Sequence, residues 1–338
     1  MNGNRLLLNK GIFAVMVLCS VMFCGCKDPA SQAILVKGSS GKTLELLLVA
    51  DKNEYTGTTY QLIDSLFCRP ADYLNRIQPL FSVVNIPHNS YEGSEMFRYH
   101  RNILILSLDT ANKNKVYKHV DKYAEPQVVY EFAARDRVSL NSMLSKYYPL
   151  VLEDLYNQEY RRIKRTYAKD FNADIVNLLR KDFGFDVTIP NEYRIAPPVK
   201  KDFVWVRKET KDFGQHIFIQ VDPYTSTVQF SQASLMNHID SMMRRNVPGP
   251  SDTSYVGIER RMDCSFQTLE IDSNYAVRIQ GLFRCFGDFY GGPFVSYAVL
   301  SPDKKSMVFV TGFLYSPRKD QRDLLMQLDG ICRTLNFK

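Results

Sequence analysis

Between Ile189 and Lys201, Pro190, Pro197 and Pro198 interrupt every hydrophobic pattern, and this break constrains the fold more than any other feature. Proline lacks a backbone donor and fixes its own φ, so neither a helix interior nor a central strand is expected to cross it. The chain divides there into residues 43–189 and 190–338. In the first part, Thr43–Ala50, Phe81–Ile86, Asn102–Leu108 and Gln127–Phe132 are apolar runs of strand length. Thr58–Phe67 reads as a helix stopped by Arg69-Pro70. Ser139 onward is helical with a break or kink at Pro149, and Asn172–Phe183 is a further helix closed by Gly184. The second part is strand-rich, with strands predicted at Phe203–Arg207, His216–Val221, Phe266–Ile271, Tyr275–Phe283, Phe294–Leu300 and Met307–Phe313. A helix from Ser231, its N-cap, to Arg245 interrupts them. In the final helix, Leu324, Leu325, Leu328, Ile331, Cys332 and Leu335 share one face. The expected fold class is α+β: two subdomains, each an antiparallel sheet with helices packed on one face.

The N-terminus carries a different signal. Arg5 and Lys10 precede an apolar run of about 13 residues, Gly11 to Phe23, too short for a bilayer that takes roughly 20. With Gly25 as the small residue before the cut, residues 1–25 read as a lipoprotein signal peptide and Cys26 as the lipidation site. Bulky Phe23 at the cleavage subsite disfavours Cys24. Several acyl chains on Cys26, worth ~0.8 kcal/mol per buried methylene, hold a soluble body on a membrane. Residues 26–42 form a Ser-, Gly- and Lys-rich tether. The expected location is the bacterial cell envelope, lipid-anchored, with the outer membrane as the membrane. The net charge of +7 loses two units when the signal leaves. That balance suits an anionic envelope surface and gives no argument for nucleic acid. A 45% hydrophobic fraction and 12% aromatics exclude global disorder. Cys68, Cys264, Cys285 and Cys332 contain no CxxC, and buried free thiols are favoured over disulfides.

No motif for catalysis, metal or nucleotide stands out. Arg101 at the mouth of the Ile103–Leu106 strand offers a bidentate grip for a carboxylate or phosphate, or else a salt bridge that pins the strand. Trp205 and Arg207 share one side of a strand, as a platform beside a cation or as a core indole with a snorkelling arginine. Arg101, Trp205 and Arg207 are the candidate ligand-binding residues. Gly287–Pro293 precedes a strand rather than a helix, so it is a hairpin loop and not a phosphate cradle. His88, His100, His119, His216 and His238 show no ligand spacing, and there is no GxSxG elbow. No cofactor, metal or catalytic residue is expected. Tyr160–Lys169 is densely basic and reads as a solvated helix face, with Glu159 beside Arg162 and Ile163.

Phe97–Ile103, Asp202–Arg207, Val247–Pro250, Gly291–Tyr297 and Gly312–Pro317 together resemble an uncharacterised family of Bacteroidetes lipoproteins, domain of unknown function DUF4837. The resemblance runs from about Thr43 to Phe337. It implies an envelope setting and brings no activity. The expected role is a non-enzymatic binding or scaffolding module for an envelope protein or glycan. The alternative is an envelope-polymer-processing enzyme with a dispersed active site.

Overall fold

The computed structural model describes residues 37–337. The predicted signal peptide, Cys26 and the first part of the tether lie outside the described residues. The body takes hold of the chain early, since Ser39 and Ser40 donate to the carbonyls of Glu125 and Tyr99.

The first half comprises β1 (Glu45–Val49), α1 (Gly57–Phe67), β2 (Ser82–Ile86), α2 (His88–Gly93), α3 (Glu95–Arg98), β3 (Asn102–Leu108), β4 (Lys115–Val120), β5 (Val128–Ala134) and α4 (Arg137–Tyr167). Its sheet has the order β2-β1-β3-β5-β4. The class is α+β as expected, but this sheet is not antiparallel: β2, β1, β3 and β5 run parallel and only β4 opposes them. Parallel strands need long crossovers that cover both faces. Leu46 and Leu48 accordingly point into a core with α1 and α4, while Leu47 and Val49 pack with Tyr91 and Phe97 on the opposite face. Helices therefore flank both faces, against the expected one.

Pro149 does not break α4, which runs through it. One lost hydrogen bond and a steric clash cost about 3 kcal/mol. Leu140, Leu144, Val151 and Leu155 are buried along the same helix, at about 1.5–3 kcal/mol for each large aliphatic side chain, and outweigh it.

The second half comprises α5 (Ala173–Asp182), β6 (Phe185–Asp186), β7 (Arg194–Lys200), β8 (Phe203–Glu209), β9 (Gly214–Pro223), α6 (Gln232–Asn246), β10 (Tyr255–Ile258), β11 (Ser265–Ile271), β12 (Asn274–Phe286), β13 (Gly291–Leu300), β14 (Ser306–Tyr315), α7 (Gln321–Cys332) and β15 (Asn336–Phe337). The main sheet is antiparallel as expected, ordered β10-β12-β13-β14-β9-β8-β7 with β11 beside β12. The proline-rich stretch is not a gap but the edge strand β7, where a missing donor costs little. This sheet too is covered twice. Val295, Tyr297 and Val299 face α7 and α4, whereas Phe294 and Ala298 face α6 with Leu235 and Ile239.

One apolar cluster spans both halves, from Leu46 of β1 through α4 and α7 to Val310 of β14. The two central helices approach so closely that a side-chain carbon on Gly330 of α7 lands 2.5 Å from Ile163 of α4. Only glycine fits there. The layers therefore stack as helix, sheet, central helices, sheet, helix. None of the described helices is long and apolar enough to cross a membrane.

Candidate functional site

Where the central helix layer opens, α4 presents Tyr148, Leu152, Tyr156 and Tyr160 at four-residue spacing, a single ridge along the helix. This ridge forms one wall of a cleft of about 750 Å³. Ser265, Gln267, Thr268 and Leu269 of β11, with Arg278 and Gln280 of β12, form the opposite wall. Arg322, Leu325, Met326 and Asp329 of α7, followed by Arg333, close one side, and Arg69 to Leu74 after α1 supply a rim. Both halves thus contribute.

The floor is an ionic knot. Asp329, 3% exposed, accepts from Arg278 Nη2 at 2.7 Å and Nε at 3.2 Å, from Tyr297 at 2.5 Å and from Tyr160 at 2.9 Å. Burial works against the charge. The Arg278 guanidinium and the two phenols outweigh it and hold the Asp329 carboxyl below its ordinary range. Burial pushes the Tyr156 phenol up to about 12. Asp329 is thus a saturated anchor with no free proton chemistry.

The cations differ in how far they are engaged. Arg69 meets Asp72 at 3.3 Å, and Arg322 is held by Asp323 and the Pro79 carbonyl. Arg333 lies 4.3 Å over the Tyr160 ring and has no carboxylate partner among the described residues. Arg278 leaves Nη1 without a hydrogen bond among those residues. The cleft therefore offers aromatic faces, amides, unspent guanidinium donors and the exposed carboxylates of Asp72 and Glu153, a set that binds polar ligands.

The residues singled out from sequence lie elsewhere. Arg101 and Arg162 both grip Glu159 at 2.9 Å, and Glu159 also accepts from Asn102 at 3.0 Å. The Arg101 grip is internal, pinning the start of β3 to α4. Glu159 sits beside Arg162 as expected; these two are buried, with Glu159 1% exposed, whereas Arg161, Lys164, Arg165 and Lys169 of the basic stretch are exposed and Arg161 and Arg165 pair with Asp121 and Glu125. Trp205 and Arg207 do share a side, the guanidinium 5.6 Å from the indole ring. The indole packs on Phe218 in the α6-side core, and Arg207 pairs with Glu209. The structure brings Trp205 and Arg207 together and leaves Arg101 in a separate buried cluster.

His88, expected to stand alone, meets Asp51 and Glu54 at the carboxyl ends of the parallel strands. Its Nε2 faces both Glu54 Oε2 at 2.8 Å and the Leu106 carbonyl at 2.9 Å. A carbonyl only accepts, so Nε2 carries the proton and is closed to a metal. Glu54 also takes the backbone N–H of Asp51 and Leu108. The cluster is a loop clamp. Cys68, Cys264, Cys285 and Cys332 are free thiols.

Sequence reasoning missed Arg278, Asp329, Arg333 and the tyrosine ridge. The ridge alone left a readable trace, since tyrosines at positions 148, 156 and 160 fall on one helical stripe.

These features define an α+β protein with a polar cleft at the junction of its two halves. Residues 172–334 match domain of unknown function DUF4837, the family expected from the sequence, and residues 39–168 match a second one, DUF8532. The resemblance to DUF4837 is thus supported over the second half, while the first half matches the second model instead. The cleft draws on residues from both matched regions. No curated protein matches the sequence. Among solved structures, LpqN of Mycobacterium tuberculosis, described as involved in cell envelope biogenesis, has a TM-score of 0.28 and 15% identity. That likeness covers 45% of this chain and 82% of LpqN, and at such a score it carries no argument.

Proposed function

We propose that the chain is a lipid-anchored bacterial envelope protein, held by Cys26, whose body binds an envelope protein or glycan in the cleft without transforming it. The outer membrane is the membrane this reading assigns. The observation that carries the binding role is the make-up of the cleft. It pairs a tyrosine ridge with guanidinium donors that no carboxylate among the described residues uses, while its one buried acid, Asp329, is saturated. A general acid or base needs an exchangeable proton within reach of a substrate, and Asp329 has none to give.

A photo-crosslinking residue at exposed Gln267, introduced into the full chain in native envelopes, tests the site. A discrete adduct at position 267, absent with the same probe at exposed Glu92, is expected. Identical patterns at both positions, or turnover of an envelope polymer by the purified protein, would overturn the binding role. Radiolabelled palmitate should enter the wild type and not Cys26→Ala; equal label in both refutes the anchor.

A further inference from the structure

One face of the large sheet changes from apolar to polar where it walls the cleft, and we infer that an uncharged glycan chain binds there, seated between β11–β12 and the tyrosine ridge of α4. This rests on the reading of the cleft as the binding site and names its occupant. Toward the central helices, β8, β9, β13 and β14 present Val204, Ile219, Tyr297 and Val310, all buried in the shared core. Arg278 and Gln280 lie opposite Tyr297 and Val295 in the β12–β13 ladder, so they stand on that same face. Their partners on β11 are Gln267 and Ser265. Side chains alternate along a strand, so Phe266 and Glu270 belong to the other face, and Phe266 packs with the α6-side core. Four polar side chains thus form a block across from Tyr148, Leu152 and Tyr156.

A ligand between such walls needs an apolar surface on one side and hydrogen-bonding groups on the other. A pyranose has both, with C–H groups on its faces and hydroxyls around its rim. The C–H groups rest against the negative face of a phenol ring. Each hydroxyl both donates and accepts, which suits a lining that holds donors and acceptors together. Arg278 Nη1 and the Gln280 amide nitrogen have no acceptor among the described residues, since Gln280 spends only its oxygen on Arg278. The Tyr156 hydroxyl also has no hydrogen-bond partner among them.

The charges decide against an ionic ligand because they cancel. Arg69 pairs with Asp72, Arg278 with Asp329 and Arg322 with Asp323. What remains in the lining is Arg333 and exposed Glu153, one of each sign, neither with an ion-pair partner among the described residues. An acidic chain meets Glu153 as a like charge and a basic chain meets Arg333, whereas a neutral glycan meets neither. A peptide gains no strand pairing here, because a sheet face offers side chains and not main-chain groups.

The test titrates the full chain with the neutral hexasaccharides of glucose, mannose and N-acetylglucosamine, and with hexaglucuronate and hexaglucosamine as anionic and cationic comparators. At least one neutral member should bind, outcompete both charged ones and slow amide exchange across Ser265–Ile271. Its affinity should change less than about twofold between about 50 and 500 mM salt. Tyr156→Phe and Gln267→Ala, each losing one hydrogen bond, should each weaken binding about fivefold. Both variants must keep the wild-type unfolding midpoint. No binding by any neutral member, tighter binding of a charged comparator, or wild-type affinity in both variants overturns the assignment. A peptide from a random displayed library that protects β11 where no neutral saccharide does also overturns it, while leaving the cleft as a binding site. Loss of the position-specific crosslink at Gln267 removes the underlying reading instead.

Discussion

Asp329→Asn strikes the contact on which the packing between the two sheets depends. The carboxylate neutralises Arg278, whose side chain is 15% exposed, and accepts from two phenols. Asn keeps the volume but removes the charge and turns one acceptor into a donor facing donors. Arg278 is then a buried cation without a counter-charge, a defect that costs about 3–5 kcal/mol. Folded domains are stable by only about 5–15 kcal/mol, so this is a large fraction. In urea, with a slope of about 3 kcal/mol/M, the midpoint should fall by about 1 M or more.

The reverse change, Arg278→Met, should behave differently with pH. In the wild type the Asp329 carboxyl lies below its ordinary 3.8, so its stabilisation is present above that pH and is lost as pH falls through the folded value. Without Arg278 burial dominates and lifts the carboxyl above 3.8, so the variant loses stability as pH rises. The gap between wild type and Arg278→Met should therefore widen from pH 4.5 to 7. A cost below about 1 kcal/mol for Asp329→Asn, or a gap that does not widen, refutes the reasoning.

Two further perturbations probe the rest of the body. Burial, then the neighbouring Arg207, pushes His216 down from 6.5 to about 4, so the unfolded chain binds a proton that the folded one refuses between those values. Wild-type stability should fall by about 2 kcal/mol between pH 7 and 5 through this group, at 1.36 kcal/mol per unit, and His216→Phe should lack that component; parallel denaturation curves for the two count against it. Glu159→Gln leaves Arg101 and Arg162 buried without their shared anion. A drop in Tm of about 10 °C is expected by calorimetry, and a shift under about 3 °C contradicts it.

Most elements were legible in the sequence because local rules set them. Asn172 and Ser231 cap their helices with side chains that accept from Ile175 and Ser234, and Gly184 takes a left-handed φ of 81°. Strand direction was not legible. Leu46 to Val49 is apolar on both faces because it is a central parallel strand, yet a short apolar run reads the same in either direction. Edge strand β4, Lys-Val-Tyr-Lys-His-Val, escaped notice because lysines that protect an edge also dilute the apolar signal. Pro149 does not end α4, because tertiary burial along the helix overrode a local penalty. The cleft was hidden because Tyr160, Arg278, Tyr297 and Asp329 come from four elements spread over the chain. Arg101, Trp205 and Arg207 drew attention as unusual residues in apolar strands, and packing accounts for Arg101 and Trp205.

Hydrogen exchange on the full chain, with and without a detergent extract of its native envelope, tests the cleft most directly. Slowed exchange at Ser265–Ile271 and in the Arg69–Leu74 rim, with Phe203–Glu209 unchanged, is the predicted result. Protection around Trp205 and Arg207 with β11 unaffected would contradict it.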